Sequence, residues 1–300
     1  MKNIKTWSTP IRAEAKKYVP CPLCGSTSFV PALTCEGFSF VRCNLCSLVQ
    51  QNPQPVQEAI ENRYSGHSSQ AYLEYELHNE IPFLSLQIKG LEDGGFFKLE
   101  KQFLGTMAPE NGNRAEPPLV LDIGCATGAL LEQLRDRGWD TLGIELCSPA
   151  ADYARKVRKL PVITGTIETA DLATASVDIV LASHVIEHVN NPKAFVDEIY
   201  RILKPGGYFF VTTPNIAGFQ ARLFGSRWRS AIFDHLYLFS KRTLAQLLID
   251  AGFAIETVVS WGGLAKGSAP TLVKVMADRL AKWLNWGDVV LMRCRKASCQ

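Results

Sequence analysis

The chain has 300 residues, 47% of them apolar and 20% charged, with 22 glycines. This composition excludes a wholly disordered or fibrous protein and suits one large compact domain, or a large one with a small companion. Basic residues number 32 against 29 acidic ones, and a net charge of +3 carries no field that would by itself draw nucleic acid, so none is expected as a partner.

The longest apolar runs are strand-sized, far short of the roughly 20 residues that a spanning helix needs, and no membrane span is expected. Residues 1–7 carry charge with no apolar block of signal-peptide length behind them, which points to a cytoplasmic protein. Among the 9 cysteines, Cys21, Cys24, Cys35, Cys43 and Cys46 crowd into one short stretch. In a chain without a leader such clustering favours metal over disulfides.

Cys21 with Cys24, and Cys43 with Cys46, form two CxxC pairs at the spacing of a four-thiolate zinc site. Each CxxC lets a tight turn aim two sulfurs at one point, and two facing turns complete a tetrahedron around a closed, structural ion. Gly25 eases the first turn; Ser47 takes the equivalent place after the second, where glycine would be easier. Residues 38–42 and 48–50 read as strands beside the second turn, the layout of a zinc ribbon, and Cys35 falls outside both pairs as a small core residue. About 30 residues bury too little apolar surface to fold alone, so the ion would supply the missing folding energy.

Pro53 and Pro55 mark a turn that ends the ribbon, assigned to residues 1–52. Residues 53–117 read as a linker and helices, broken near 65–69 and at Gly94 and Gly95, with tyrosines at 64, 72 and 75. A loop over 109–118, rich in Asn, Gly, Glu and Pro, leads into the third part, residues 118–300.

Residues 119–123 form a short apolar run. Gly124, Cys125, Ala126, Thr127 and Gly128 follow as a small-residue loop before the helical pattern Leu130, Leu131, Leu134. Strand, loop and helix in this order suit a phosphate or nucleotide, because the ligand must lie against backbone amides at the helix amino terminus without meeting a Cβ. The next strand, 139–144, stops at Glu145, whose carboxylate can accept both hydroxyl hydrogens of a ribose, with Leu146 beside it. A dinucleotide fingerprint wants glycine at the first, third and sixth loop positions; these are Gly124, Ala126 and Ala129, which disfavours that reading.

Residues 177–183 read as a buried strand, followed by His184, Glu187 and His188 and by a helix that Asn191 caps and Pro192 opens. Phe195, Ile199 and Leu203 give that helix one apolar face. The run Lys204, Pro205, Gly206, Gly207 ends it before a strand over 208–213.

Together DIGCATG (122–128), Glu145 at its strand end, HVIEHVNNP (184–192), LKPGGYFFVTTPN (203–215) and HLYLFS (235–240) resemble class I S-adenosylmethionine-dependent methyltransferases. More narrowly, the chain resembles the bacterial subgroup with an amino-terminal zinc ribbon, over nearly its whole length. The resemblance implies an α/β fold, a doubly wound Rossmann-like seven-stranded sheet, with S-adenosylmethionine and a structural Zn2+ as cofactors. It assigns Asp122, Gly124 and Gly128, with Cys125 and Ala126 between them, to the loop that holds the methionine portion, and Glu145 to the ribose. Ala126 stands where the family usually has glycine. Thr166 stands where an acidic residue often receives the adenine amino group, Ile167 would pack on the ring, and Ser183 would face the sulfur end.

Methyl transfer from a sulfonium is an in-line displacement, so the protein mainly holds nucleophile and methyl within about 3–3.5 Å. A hydroxyl nucleophile also needs a base or a metal. Of the 5 histidines, His184 follows a central strand, where open α/β sheets place their ligands, and His188 lies one helical turn on, beside Glu187. This HxxEH cluster is similar to the ExxEH that binds magnesium in ubiquinone-pathway and small-RNA O-methyltransferases, but His184 replaces the first acid, and hard cations prefer oxygen. His184 or His235 as base, a metal at this cluster, and a packing role for His188 are the open readings. The segment 214–240 reads as a lid with His235 aimed inward; Arg222, Arg227, Arg229 and Trp228 suit an anionic or nucleotide-linked acceptor, or equally a solvated basic helix anchored by Trp228.

Ser240 is expected to cap a helix over 241–251 closed by Gly252. Strands at 254–260 and 289–293 would pair antiparallel as a final hairpin, with a helix at 278–284. The expected activity is methylation of an oxygen on a small molecule such as a sugar or cell-surface precursor. The alternatives are an RNA or protein methyltransferase that reads its substrate through the ribbon, and a catalytically silent scaffold.

Overall fold

A computed structural model describes residues 15–64, 67–105, 116–262, 276 and 286–298. Short strands come first: β1 (Lys16–Lys17), β2 (Phe29–Cys35), β3 (Phe38–Cys43), β4 (Val49–Gln51) and β5 (Gln54–Pro55). Helices α1 (Gln57–Tyr64), α2 (His67–Gly94) and α3 (Phe96–Gly105) follow. Strands and helices then alternate through β6 (Leu119–Ile123), α4 (Ala129–Asp136), β7 (Asp140–Glu145), α5 (Ser148–Lys156), β8 (Val162–Thr164), β9 (Val177–Ser183), α6 (Pro192–Ile202) and β10 (Leu203–Pro214). The chain closes with α7 (Phe219–Phe224), β11 (Tyr237–Leu238), α8 (Lys241–Asp250), β12 (Phe253–Trp261) and β13 (Val289–Lys296). The helix expected at 278–284 lies outside the described residues.

A seven-stranded sheet in the order β12-β13-β10-β9-β6-β7-β8 forms the centre, with β13 antiparallel to both of its neighbours and the pairs from β10 to β8 parallel. It is the doubly wound seven-stranded sheet that the resemblance implies. Strand β9 shows why it must be covered on both faces: Val180 and Ala182 pack into one apolar cluster with Phe195 and Ile199 of α6, while Ile179 and Leu181 pack into another with Leu91, Phe96 and Leu134. Side chains alternate across a strand, so a continuous apolar run needs two layers of helix. The strand order reverses between β6 and β9, and the loops after these two strands open a crevice at their carboxyl ends.

Helix α6 starts as expected, with Asn191 Oδ1 accepting the Ala194 N–H at 3.1 Å and Pro192 in the first turn. Its end differs from expectation. Leu203 is already extended (φ −65°, ψ 137°) and pairs with Val177, so β10 begins before the Lys204–Gly207 run and carries an irregularity between Leu203 and Tyr208. Pro205 denies the helical conformation to Lys204, and Gly206, at φ 80°, turns the chain within the strand instead of before it. At α8, Ser240 Oγ accepts the Thr243 N–H at 3.2 Å while Thr243 Oγ1 accepts the Ser240 N–H at 2.9 Å, a reciprocal cap.

The ribbon differs from a self-contained module. Pro55 and Gln54 pair with Lys16 and Lys17, so its pairing continues past residue 52. Proline is tolerated there because β1 and β5 form a two-stranded ribbon whose outer edges need no donor. Its main sheet is four-stranded, β11-β4-β3-β2, and the β11 strand comes from the segment expected to be a lid. Among the described residues no helix is long and apolar enough to cross a membrane.

Candidate active site

The loop after β6 turns back on itself through backbone in the left-handed region at Gly124 (φ 73°), Ala126 (φ 48°) and Gly128 (φ 79°). A Cβ at Gly124 would lie 2.6 Å from Val185 Cγ2 and one at Gly128 2.7 Å from Leu160 Cδ1, so both glycines serve close approach as well as φ. Ala126 holds its left-handed conformation with a methyl, where glycine would be free of strain.

Glu145, at the end of β7, fixes this loop from below. Its Oε2 accepts the Ala126 N–H at 2.9 Å and its Oε1 the Cys147 N–H at 2.8 Å. Each oxygen retains further acceptor capacity. Burial pushes the Glu145 carboxyl up, against the pull of these N–H groups. Asp122, buried at the strand end, is pushed up to about 8 by burial and then by the charge of Glu145.

A cavity of about 1490 Å³ runs along the carboxyl ends of the central strands. Every residue expected to hold the cofactor lines it except Gly128, which caps α4 behind the wall. Thr166 lies at its edge as the amino cap of a short 3-10 turn, where its N–H donates to Thr169 Oγ1 at 3.0 Å, and Ile167 is buried beneath it.

The roof includes residues that sequence reasoning left without a role. Tyr64 on α1 and Tyr72, Tyr75 and Glu76 on α2 all line the cavity, with the Tyr64 and Tyr72 rings edge to face at 5.7 Å. Burial, followed by the charge of Glu145, raises Glu76 to about 7, although a hydrogen bond from Tyr72 works the other way. The usable signal was the spacing of Tyr72, Tyr75 and Glu76, which puts an aromatic and an acid on one helical face. Helix α2 is tied to the loop as well: Thr127 Oγ1 donates to Glu80 Oε2 at 2.7 Å and Arg158 pairs with Glu80 at 2.7 Å.

The opposite end of the cavity holds the histidines. His184 sits at φ 56°, its N–H donating to Thr212 O at 2.9 Å, and its Nδ1–H donates to Glu187 Oε1 at 3.0 Å. Glu187 is wholly buried, and its Oε2 accepts the Thr213 hydroxyl at 2.9 Å. Burial would raise this carboxyl; the hydrogen bond from His184 opposes it, and the carboxyl is held at about 2. His188 Nδ1 donates to Asp234 O at 2.9 Å and His235 Nδ1 to Ser230 O at 2.8 Å. A carbonyl only accepts, so each ring carries a hydrogen on Nδ1 and has its Nε2 on the other side. Burial, with His188 nearby, lowers His235 to about 3, so its ring is neutral.

The sequence grouped His184 with Glu187 and His188. The residues that converge instead are Glu187, His188 and His235, each offering a ligand atom within 4.8 Å of the others, with the two imidazoles edge to face at 4.7 Å. His184 stands apart as the partner of one Glu187 oxygen.

In the segment expected to be a lid, Trp228 is buried and its Nε1 donates to Asp288 Oδ1 at 2.5 Å, with Arg229 pairing to the other oxygen at 2.7 Å. Arg222 lies over Trp286 at 5.8 Å. Arg227 lines the cavity with no ion-pair partner among the described residues. Trp228 is therefore an internal anchor, as in the rival reading, while Arg222, Arg227 and Arg229 are exposed around it on α7, a 3-10 turn and the segment after them.

At the ribbon, the Cys21, Cys24, Cys43 and Cys46 sulfurs all lie within 4.8 Å of one another, with Cys21 to Cys46 at 3.3 Å and Cys24 to Cys43 at 3.5 Å. Four converging thiols at such distances, unbridged, fit a tetrahedral zinc with Zn–S bonds of about 2.3 Å. Gly25 and Ser47 both adopt positive φ, 71° and 67°, after their CxxC turns. Cys35 points elsewhere, its Sγ toward Ser226 O and Ala231 O.

Residues 97–258, more than half of the chain, match the family described as a methyltransferase domain. The chain belongs to the class I S-adenosylmethionine-dependent methyltransferases. A probable S-adenosylmethionine-dependent methyltransferase of Mycolicibacterium smegmatis is 28% identical to this methyltransferase over 181 residues, 57% of this chain and 68% of that one. The ubiquinone biosynthesis O-methyltransferase of Idiomarina loihiensis is 38% identical over 102 residues, 32% of this chain and 42% of its own length. The mitochondrial protein of the same description from Rattus norvegicus is 36% identical over 105 residues, 32% of this chain and 30% of its own. This methyltransferase therefore spans less than half the length of those two O-methyltransferases. Among solved structures, a methyltransferase of Thermotoga maritima described as a possible histamine N-methyltransferase is 25% identical, with a TM-score of 0.47 over 73% of this chain and 99% of that one.

Proposed function

We propose that this methyltransferase acts on an oxygen of a small, anionic molecule, with His184 as the general base. The observation that carries the reading is the pairing of the His184 Nδ1–H with the buried Glu187 carboxylate at 3.0 Å, on the wall of the cavity. An imidazole oriented in this way presents Nε2 as an acceptor for a proton, and an alcohol nucleophile is the acceptor type that needs one.

The cofactor would be held by the 122–128 loop, Glu145 and Leu146, Thr166 and Ile167, and Ser183. When bound, S-adenosylmethionine supplies a methyl group already activated by its sulfonium. Glu145 would accept the ribose hydroxyls on the lone pairs left after Ala126 and Cys147 are served. Tyr64 and Tyr72 exclude water from above. His184 Nε2 takes the hydroxyl proton while Glu187, kept ionised, stabilises the imidazolium that results. Arg227 offers its guanidinium to an acceptor anion at the cavity mouth. The ribbon would hold a structural zinc, and its reduced thiols suit a cytoplasmic protein. The relatives described as ubiquinone biosynthesis O-methyltransferases support oxygen as the acceptor atom.

A second reading rests on the Glu187, His188 and His235 group, a two-histidine, one-carboxylate donor set that suits a borderline transition-metal ion better than magnesium. Cobalt(II) titration followed by optical absorption separates the two: a bound cobalt band that His235→Ala abolishes while Cys43→Ser does not supports metal assistance, and its absence leaves the base.

The primary reading is tested by incubating the protein with labelled S-adenosylmethionine and panels of phosphorylated sugars, nucleotide-linked sugars and phenols, followed by mass spectrometry. A product methylated on oxygen supports it. Transfer only to nitrogen, carbon, RNA or protein overturns it.

A further inference from the structure

The ribbon and the histidine end of the cavity meet at the turn 233–236, where Phe38 packs its ring against Phe233 at 5.8 Å and Gln51 supplies the hydrogen bonds. The turn 233–236, which presents His235, is held on one side by the segment after β9: Leu236 N–H and Tyr237 N–H both donate to Glu187 O, at 2.8 and 3.2 Å, and Asp234 O accepts His188 Nδ1–H at 2.9 Å. On its other side both of its outer carbonyls belong to Gln51. Leu236 O accepts the Gln51 N–H at 2.7 Å and Phe233 O accepts Gln51 Nε2 at 3.1 Å. His235 thus lies between two hydrogen bonds from a single ribbon side chain and its own backbone.

The placement has a direct route back to the thiols. Gln51 ends β4, which pairs with β11 through Tyr237 opposite Gln50 and Leu238 opposite Val49, and with β3 through Phe40 opposite Gln51. Strand β3 runs into Cys43, whose N–H donates to Leu48 O at 2.9 Å, so the second CxxC turn closes onto the residue that precedes β4. Gln51 is 1% exposed, and its Oε1 is buried with no hydrogen-bond partner among the described residues. A buried glutamine that leaves its acceptor unused is unfavourable on its own account, and what it does use is the donor aimed at Phe233.

We infer that the ribbon buttresses the acceptor site from behind its wall and that Gln51 is a positioning residue, fixing the turn that carries His235 and accepts from His188. This rests on the reading that these histidines face the acceptor. The cofactor loop is built from β6, α4 and β7, none of which pairs with the ribbon, so the two halves of the cavity respond differently when the ribbon is disturbed. The ribbon's metal would then set acceptor geometry without touching the reaction.

The test compares the full-length, zinc-loaded protein with Gln51→Met and Gln50→Met. Gln50 is the control: it lies on the same strand and is equally buried, but its Nε2 donates within the ribbon to Val19 O at 3.2 Å. Long-range proton–nitrogen spectra report the tautomer of each imidazole, and calorimetry with S-adenosylhomocysteine reports the cofactor half. Gln51→Met is expected to shift the His188 and His235 signals and loosen their fixed Nδ1–H tautomers, leaving His78 and cofactor affinity unchanged, whereas Gln50→Met moves neither ring. Equal effects of the two variants, or unmoved His188 and His235 signals in folded Gln51→Met, overturn the inference. If Gln51→Met fails to retain zinc or bind S-adenosylhomocysteine, zinc is chelated from the wild type instead. The same two rings must then shift while S-adenosylhomocysteine still binds, and rings that stay put or a loss of cofactor binding refute the role. Loss of turnover in His184→Asn without any change at His188 or His235 would bear on the base alone.

Discussion

His184 Nδ1 and Glu187 Oε1 stand 3.0 Å apart because His184 adopts a left-handed φ of 56° at the end of β9. A non-glycine residue in that region is strained by about 1–2 kcal/mol, and the surrounding hydrogen bonds hold it there. The Thr212 carbonyl takes the His184 N–H and the Thr213 hydroxyl pins the far oxygen of Glu187, so the adjacent strand β10 maintains the pair.

Replacing this base should separate chemistry from binding. With an acceptor from the screen, His184→Asn should lower the turnover number by about 10²–10⁴-fold, the usual share of a general base. Affinity for S-adenosylhomocysteine should stay within about twofold, since the substituted side chain would touch no ribose or adenine contact. Undiminished turnover would remove His184 as the base.

Glu145→Gln tests the cofactor half. The amide keeps one acceptor oxygen but turns an NH2 toward an N–H donor of the loop, and the ribose loses a charged acceptor. Hydrogen bonds to charged groups contribute about 1.5–3 kcal/mol each, which predicts S-adenosylhomocysteine binding weaker by about 10–100-fold in calorimetry. Unchanged affinity would mean that the ribose is held elsewhere.

Glu76 imposes a pH dependence whose sign follows from its raised pKa. Burial, then the Glu145 charge, moves it from 4.5 to about 7, so between these values the folded protein keeps a proton that the unfolded chain has released. Stability associated with that proton is therefore complete below about pH 4.5 and lost as pH rises to about 7. Glu76→Gln should gain at most about 3 kcal/mol at pH 8 and nothing at pH 4, read from thermal unfolding across the range. Parallel pH profiles for the two proteins would show that Glu76 is not held protonated.

Cys43→Ser should abolish the bound zinc equivalent measured by mass spectrometry, because the remaining thiols no longer close a tetrahedron. S-adenosylhomocysteine should still bind, as no strand of the ribbon pairs with β6 or β7. Full zinc occupancy in the variant would exclude the four-thiolate site.

Much of the site was legible because its signals are local. Two CxxC turns state their own geometry, and a strand, a small-residue loop and a helix leave periodicities of two and of three to four within a few residues. Glu145 could be placed because a strand end fixes where its last side chain stands. Even the strain at Ala126 is a local consequence of having a methyl at a turn that favours glycine. The role of Tyr72 and Glu76 was less visible: their helical face is apparent, but nothing in α2 says that this face covers the cavity.

By itself the sequence determined the pairing of cysteines that makes the four-thiol cluster, the alternation of strands and helices that makes a doubly wound sheet, and the small-residue loop with Glu145 at the next strand end, because each depends on residues only a few positions apart. Tertiary structure alone decided that His235 joins Glu187 and His188, that the segment expected to be a lid supplies a strand to the ribbon, and that Gln51 spans the two. Those contacts join segments far apart in the chain, and their existence depends on which surfaces the sheet brings together after its apolar faces are buried. No local period records that outcome.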